Sequence, residues 1–344
     1  MDNKPIILII NAGSSSIKYG LYDADNLSRI TKDKIEISSD DDYDKAFNSL
    51  LSIIEEENVI GVGHRIVHGG KEFSAPAILD TGVLSALENL IPLAPLHQPH
   101  NLKPISLIMD KYPEIKQIAC FDTAFHRTQS PLSELYAIPK ELSEKGMVRY
   151  GFHGSSYEYI ASILEEQIGE EKAKGRVIIA HLGNGASMCA LHNLKSVSTT
   201  MGFTPLDGLM MGTRCGDIDP GLPLYLIEQE EMSAQDVSYL LQKSSGLKGV
   251  SGISSDMRDL LESDEQGAQE AIELFCLYAA RQAAMLTVDM GGLDALIFTA
   301  GIGTNSQIIR EKIVSRLSHL GDFSVHVIPT NEELVMARHV KALL

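Results

Sequence analysis

PIILIINAGSSSIKYGLY (residues 5–22) and VIIAHLGNGASMCAL (residues 177–191) carry one pattern twice. Each begins with an apolar run, residues 5–10 and 177–180, of the kind found in strands covered on both faces. Each continues into a turn of small and polar residues, Asn11 to Ser16 and His181 to Ser187, and each returns as a second apolar run. A polar turn and a possible third strand follow in both. Aligned on the turns, Asn11 falls over His181 and Gly13 over Gly183. Two unrelated hairpins are the plain alternative, but the shared order favours an internal duplication, and with it two similar domains.

The rest of the chain alternates in the same spirit. Between the copies, residues 43–57, 82–90, 101–111 and 155–168 read as helices, and 60–67 and 115–121 as strands. After the second copy come helices at 221–230, 234–242 and 266–290, a strand at 293–299, a helix at 306–317, a strand at 323–328 and a closing helix at 331–344. Strands alternating with helices predict an α/β fold with mainly parallel sheets and helices on both faces. A length of 344 residues suits two domains, and a cleft between them is where such folds take ligands.

Charge and cysteine usage narrow the function. A formal net charge of -17 argues against nucleic acid or an anionic membrane as partner, and makes any cationic cluster informative. Cys120, Cys189, Cys215 and Cys276 are scattered without a CxxC pair, which predicts buried reduced thiols rather than zinc ligands. With no signal peptide and no apolar run of bilayer length read from the sequence, the expected location is the cytoplasm.

The chemistry-bearing residues sit in turns. Residues 11–16 offer backbone N–H groups and hydroxyls with Lys18 just beyond, a setting suited to phosphate oxygens, though not a Walker A loop. HLGNG at 181–185 and AGIG at 300–303 add two similar turns, and three at strand ends suggest a ligand with several phosphates. Satisfied hairpin turns are the bland alternative for each. In the strand GHRIVHGG (63–70), Arg65 and Val67 share a face, as a pocket for a short carboxylate needs. Asp122 follows an apolar strand, a favoured place for metal ligation or nucleophile orientation, although an aspartate there also caps helices. The loop MGFTPLDGLMMGTRCGDIDP (201–220) holds Arg214 among four glycines and three aspartates, so its planar fork either meets an anion or pairs with Asp217 or Asp219. His97 and His153 lie in turns, while His64, His100, His192 and His339 read as structural. Glu332 is either an acid near a metal or a helix N-terminal charge.

Nine segments in order, INAGSSSIK, GHRIVHGG, APLHQPHNL, FDTAFHRT, RYGFHGSS, HLGNGAS, GFTPLDGLMMGTRCGDIDPG, FTAGIGTNS and IPTNEE, resemble the motifs of the acetate kinase family. The resemblance covers nearly the whole chain. It implies a duplicated ribonuclease H-like, actin-like ATPase fold of two domains, 1–124 plus 334–344 and 125–333, with a catalytic cleft between them. It implies an ATP:acetate phosphotransferase that forms acetyl phosphate and ADP, uses Mg²⁺ (or Mn²⁺), and works as a homodimer. Carried over by position, Asn11, Ser14, Ser16 and Lys18 form the first phosphate loop. Arg65 and Arg214 clamp the carboxylate and the phosphoryl group, His153 and His181 donate to phosphoryl oxygens, and His97 supports them. Asp122 positions the nucleophile and, with Glu332 and Asn11, the metal. Val67, Leu96, Phe152 and Pro205 line the acyl methyl pocket. His181, Gly183, Asn184, Gly185, Asp256, Met257, Arg258, Gly301, Ile302, Gly303 and Asn305 lie along the nucleotide.

The chain departs from the family in being shorter, chiefly within residues 20–61 and before 325. Thr304 replaces an acidic residue common after GIG, and His100 stands where a small residue is usual. Propionate or butyrate kinase is the alternative within the family, and a non-kinase actin-like ATPase the alternative outside it.

Overall fold

The computed structural model describes residues 4–13, 16–37 and 40–344, the side chains of 40–42 and 44 excepted. The chain forms two compact units. One comprises Met1–Arg127, Gly154–Tyr159 and Asn331–Leu344; the other comprises Thr128–His153 and Ile160–Thr330. Beside the boundaries expected from sequence, residues 125–127, 154–159 and 331–333 group with the first unit.

The first unit contains β1 (Ile6–Ala12), β2 (Ser16–Asp23), β3 (Arg29–Glu36), β4 (Val59–Ile66), β5 (Ala77–Ile78) and β6 (Lys116–Phe121). Its sheet runs β3-β2-β1-β4-β6-β5: β1, β2 and β3 form an antiparallel meander, and β4 and β6 lie parallel to β1. The second unit contains β7 (Arg176–Leu182), β8 (Ala186–His192), β9 (Lys195–Thr199), β10 (Ala295–Thr299) and β11 (Ser324–Val327). Its order, β11-β10-β7-β8-β9, repeats five of the six strands of the first sheet in order and direction when β7 is laid on β1, and the short edge strand β5 has no counterpart. The duplication read from the two quoted stretches is therefore a repeated topology. The register agrees as well. Asn11 pairs with Lys18 and His181 with Ser187, each one pair before its hairpin closes.

The sheets are mixed rather than mainly parallel. The physical reason lies in the turns: only residues 13–16 separate Ala12 from Ile17, and only 183–185 separate Leu182 from Ala186. Connections this short can only reverse the chain, whereas a parallel neighbour needs a long crossover.

Burial on both faces explains the apolar run of β1. Ile6, Leu8 and Ile10 pack with Phe47, Leu50 and Ile54 of the helix Asp40–Glu56. Ile7 and Ile9 face the other way, against Met336, Ala337 and Val340 of the closing helix Glu332–Leu343. Two glycines on β4 let that helix approach. A Cβ on Gly61 would stand 2.8 Å from Leu344 Cδ2, and one on Gly63 2.8 Å from Val340 Cγ2.

The possible third strand of the first copy is β3, RITKDKIE, an edge strand exposed along most of its length and without apolar alternation. The helix Gln266–Met290 is long and apolar enough to cross a bilayer, contrary to expectation. It packs on β7, β8 and β9 as the core helix of the second unit, with Ala271, Phe275, Ala279 and Ala283 buried. Cys120, Cys189 and Cys276 are buried free thiols as expected, and Cys215 is half-buried.

His64 and His68 are structural. His64 Nε2 lies 2.8 Å from Gln117 Oε1, and burial lowers its pKa to about 4. His68 accepts the Gly70 N–H at Nδ1, and burial, helped by the charge of Arg127, lowers it to about 4. Both rings are neutral in the fold and bind protons more readily once unfolded. Stability is thus complete above the ordinary histidine value of about 6.5 and declines as pH falls towards about 4. Melting temperatures measured across this window should fall with acidity, and His64→Leu should make the slope shallower.

Candidate active site

Parallel strands β1, β4 and β6 end side by side, and each delivers one polar residue there. Asn11 and Arg65 are the penultimate residues of β1 and β4; Asp122 follows β6 and donates its N–H to Ile66 O. Arg65 binds Asp122 with two prongs, Nε to Oδ1 at 2.9 Å and Nη2 to Oδ2 at 2.6 Å, while Nη1 donates to Asn11 Oδ1 at 3.3 Å. The Asp122 side chain is 2% exposed and that of Arg65 23%. Burial raises the Asp122 pKa, Arg65 opposes that rise, and Glu332 adds to it. The same pairing raises the Arg65 pKa against the pull of burial.

A guanidinium carries five N–H donors. Three are engaged by the described residues, which leaves two while the Asp122 pair holds the fork still. Glu332, first residue of the closing helix, and His97, before the helix Gln98–Lys111, both lie within electrostatic reach of Asp122. Lys18 stands across the hairpin from Asn11 and Ser16 opens β2; Ser14 lies outside the described residues. Val67, just past β4, is buried with its N–H held by Asn101 Oδ1 at 3.0 Å, and Leu96 is exposed.

The second unit gathers its own donors around the β7–β8 turn. His153 Nδ1 lies 2.8 Å from Ser187 Oγ, and Ser187 pairs with His181 across the hairpin. The two imidazoles consequently stack, centroids 4.3 Å apart and planes 20° from parallel. His153 holds a left-handed φ of 59°, a strained state for a non-glycine residue that is found most often at functional sites. A Cβ on Gly185 would stand 3.4 Å from His153 Nε2 and 3.7 Å from Arg214 Nη1, ordinary contact distances that place both side chains beside this turn. Arg214 Nη1 also donates to Pro205 O at 3.0 Å, and Phe152 is buried beside His153 in the chain. Asp217 accepts from Gly208 N–H and Gln282 and Asp207 pairs with Arg149, contacts that brace the loop carrying Arg214.

Next to this turn is a cavity of about 780 Å³ lined by Gly183, Asn184, Asp256, Met257, Arg258, Gly301, Ile302 and Asn305. Eight of the residues assigned to the nucleotide thus meet at one surface. Gly303 instead packs on β7, and Gly185 and His181 turn towards His153. Asp256 caps the helix Met257–Glu262 and pairs with Arg258, which lowers its pKa to about 2. Ser255, Leu261 and residues 306–308 also line the cavity and were not foreseen. Leu261, one turn past Met257 and Arg258, could have been found by helical spacing. Ser187 and Asn101 gave no such signal, because their roles rest on contacts between distant segments.

A repeated sheet with a turn of small and polar residues after the first strand of each copy is an actin-like ATPase fold. The chain belongs to the acetokinase family, whose model matches residues 27–324. It is 43% identical to acetate kinase of Rhodopseudomonas palustris, covering 97% of each chain. Among solved structures it resembles a propionate kinase from Francisella tularensis, with TM-score 0.91 and 34% identity over 99% of this chain and 100% of the other. It also resembles acetate kinase of Porphyromonas gingivalis, with TM-score 0.88 and 33% identity over 98% and 99%.

Gly212 lies behind Asn184, which lines the cavity. Its N–H donates to Asn184 O, and a Cβ there would stand 1.8 Å from Asn184 Oδ1. Gly212→Ala should displace Asn184 and weaken ATP binding about tenfold, the size of a modest overpacking cost, with little change in melting temperature. Titration calorimetry against the wild-type protein checks the first and scanning calorimetry the second.

Proposed function

We propose that the protein transfers a phosphoryl group reversibly between ATP and acetate, giving acetyl phosphate and ADP. The observation that carries this reading is the convergence of separate family motifs on one cavity in the second unit. Membership of the acetokinase family supports the acid as well as the nucleotide. A carboxylate oxygen attacks the terminal phosphorus in line. It needs no general base, so the task of the protein is positioning and charge neutralisation.

In this reading Arg65 meets the acid's carboxylate with its remaining N–H groups while Asp122 fixes its plane. Val67, Leu96, Phe152 and Pro205 receive the methyl group. His153, His181 and Arg214 donate to the phosphoryl oxygens, and the Asn11–Lys18 hairpin end accepts the nucleotide's phosphates. An ion pair at ~4 Å is worth about 4 kcal/mol at an effective dielectric near 20, against about 1 in water. Burial therefore matters as much as charge.

The donors near Asp122 also fit a divalent cation. Asp122, Glu332 and Asn11 offer hard oxygen ligands, although among the described residues no group of three or more His, Cys, Asp or Glu could hold a metal ion by itself. Such a set suits Mg²⁺ or Mn²⁺ completed by water and phosphate, where the ion would neutralise phosphate charge. A cytoplasmic homodimer completes the proposal. Exposed Leu222, Leu224, Tyr225 and Tyr239 on neighbouring helices of the second unit are consistent with a covered face, which light scattering would check.

Trapping acyl phosphate with hydroxylamine tests the reaction. Acetate should give the highest kcat/KM, with propionate within a selectivity of ~1–3 kcal/mol. A clear preference for propionate would favour the second reading, which the likeness to the Francisella enzyme supports. ATP hydrolysis without acyl phosphate would overturn both. Arg214→Ala should lower kcat by at least ~10²-fold while circular dichroism is unchanged, as expected for loss of a preorganised charge.

A further inference from the structure

The β1–β4 ladder stops at Ile10 and His64, although the chain runs on to Ala12 and Val67. Past that point the strands' buried backbone groups need other partners. One side chain serves both strands. Asn101, 4% exposed on the helix Gln98–Lys111, donates Nδ2–H to Ala12 O at 2.7 Å and accepts the Val67 N–H on Oδ1 at 3.0 Å. A carboxamide has the donor and acceptor of a peptide group, so Asn101 stands in for the missing rung of the ladder.

A second clasp sits one residue along. Tyr43 OH donates to Gly13 O at 3.3 Å, and His100 Nδ1 lies 3.1 Å from the same hydroxyl. With the hydroxyl proton aimed at Gly13, the imidazole donates from Nδ1, and the relay runs His100 to Tyr43 to Gly13. The Lys103 ammonium lies 4.6 Å from the Tyr43 ring centroid, and Gly13 N–H closes the turn on Ser16 O at 2.9 Å. His100, which departs from the small residue usual in the family, thereby has a place.

We propose that Asn101 and Tyr43 are positioning residues for the nucleotide's terminal phosphates. Neither touches the ligand. They hold the backbone of the turn after β1, and Asn101 ties that turn to Val67 at the end of β4. The inference rests on the reading in which this turn binds phosphate. It differs from a general structural role in one respect: it acts on the outer phosphates and leaves the cavity of the second unit alone.

The test is calorimetric binding of ATP and of AMP, each with Mg²⁺, to the full chain and to Asn101→Leu and Tyr43→Phe. Both substitutions are uncharged and close in size. The ATP Kd should rise roughly tenfold for Asn101→Leu and about threefold for Tyr43→Phe, the range expected when buried polar partners are lost. The AMP Kd should stay within about twofold of wild type, below the cost of one such bond. Unchanged ATP binding in folded variants, or equal weakening of ATP and AMP, would overturn the proposal. Should Asn101→Leu fail to fold, Tyr43→Phe decides by the same ratio. Acyl phosphate formation by the wild-type protein is measured separately, so failure of the functional reading and failure of the clasp are distinguishable.

Discussion

A buried carboxylate paired with a part-buried guanidinium at the ends of two parallel strands anchors the first unit's chemistry. Leaving the buried Asp122 carboxylate without its partner costs about 3–5 kcal/mol, because that charge would have lost both water and partner. The arrangement therefore holds only if β4 and β6 keep their register, which sets Arg65 opposite Cys120 and brings Asp122 N–H to Ile66 O. Backbone pairing thus fixes side-chain chemistry directly. Asn11 joins because β1 is the next parallel neighbour of β4.

The repeated sheet lets one geometric position serve two chemistries. Asn11 in the first hairpin and His181 in the second occupy the same rung. The first places an amide oxygen against Arg65; the second places an imidazole against His153. Differences in the flanking turn follow from what each must admit. In the second hairpin the turn at Gly185 lies beside two large side chains, His153 and Arg214.

Local pattern made much of this visible from the amino acids alone. The helix at residues 266–290 was bounded to the residue, and the two hairpins emerged from apolar runs broken by small residues. β3 could be read only as a possible strand, from its place in the repeat, because an exposed edge strand of alternating Lys, Thr and Asp has no hydrophobic period to display. At the site, Arg65 and Asp122 were each suspect from position, yet their mutual pairing was not foreseen. They lie 57 residues apart, and nothing in either segment specifies the other. Asn101 was hidden more completely, since an asparagine near a helix start ordinarily reads as local capping.

The glycines of β4 that seat the closing helix carry a consequence for synthesis. The first unit takes its final layer from residues made after all of the second. During translation one face of β1, with Ile7 and Ile9, stays uncovered until Met336 and Val340 emerge. The later half of the polypeptide is thus able to mature while the earlier half still waits, and a nascent chain exposes a sticky strand for the longest part of its birth.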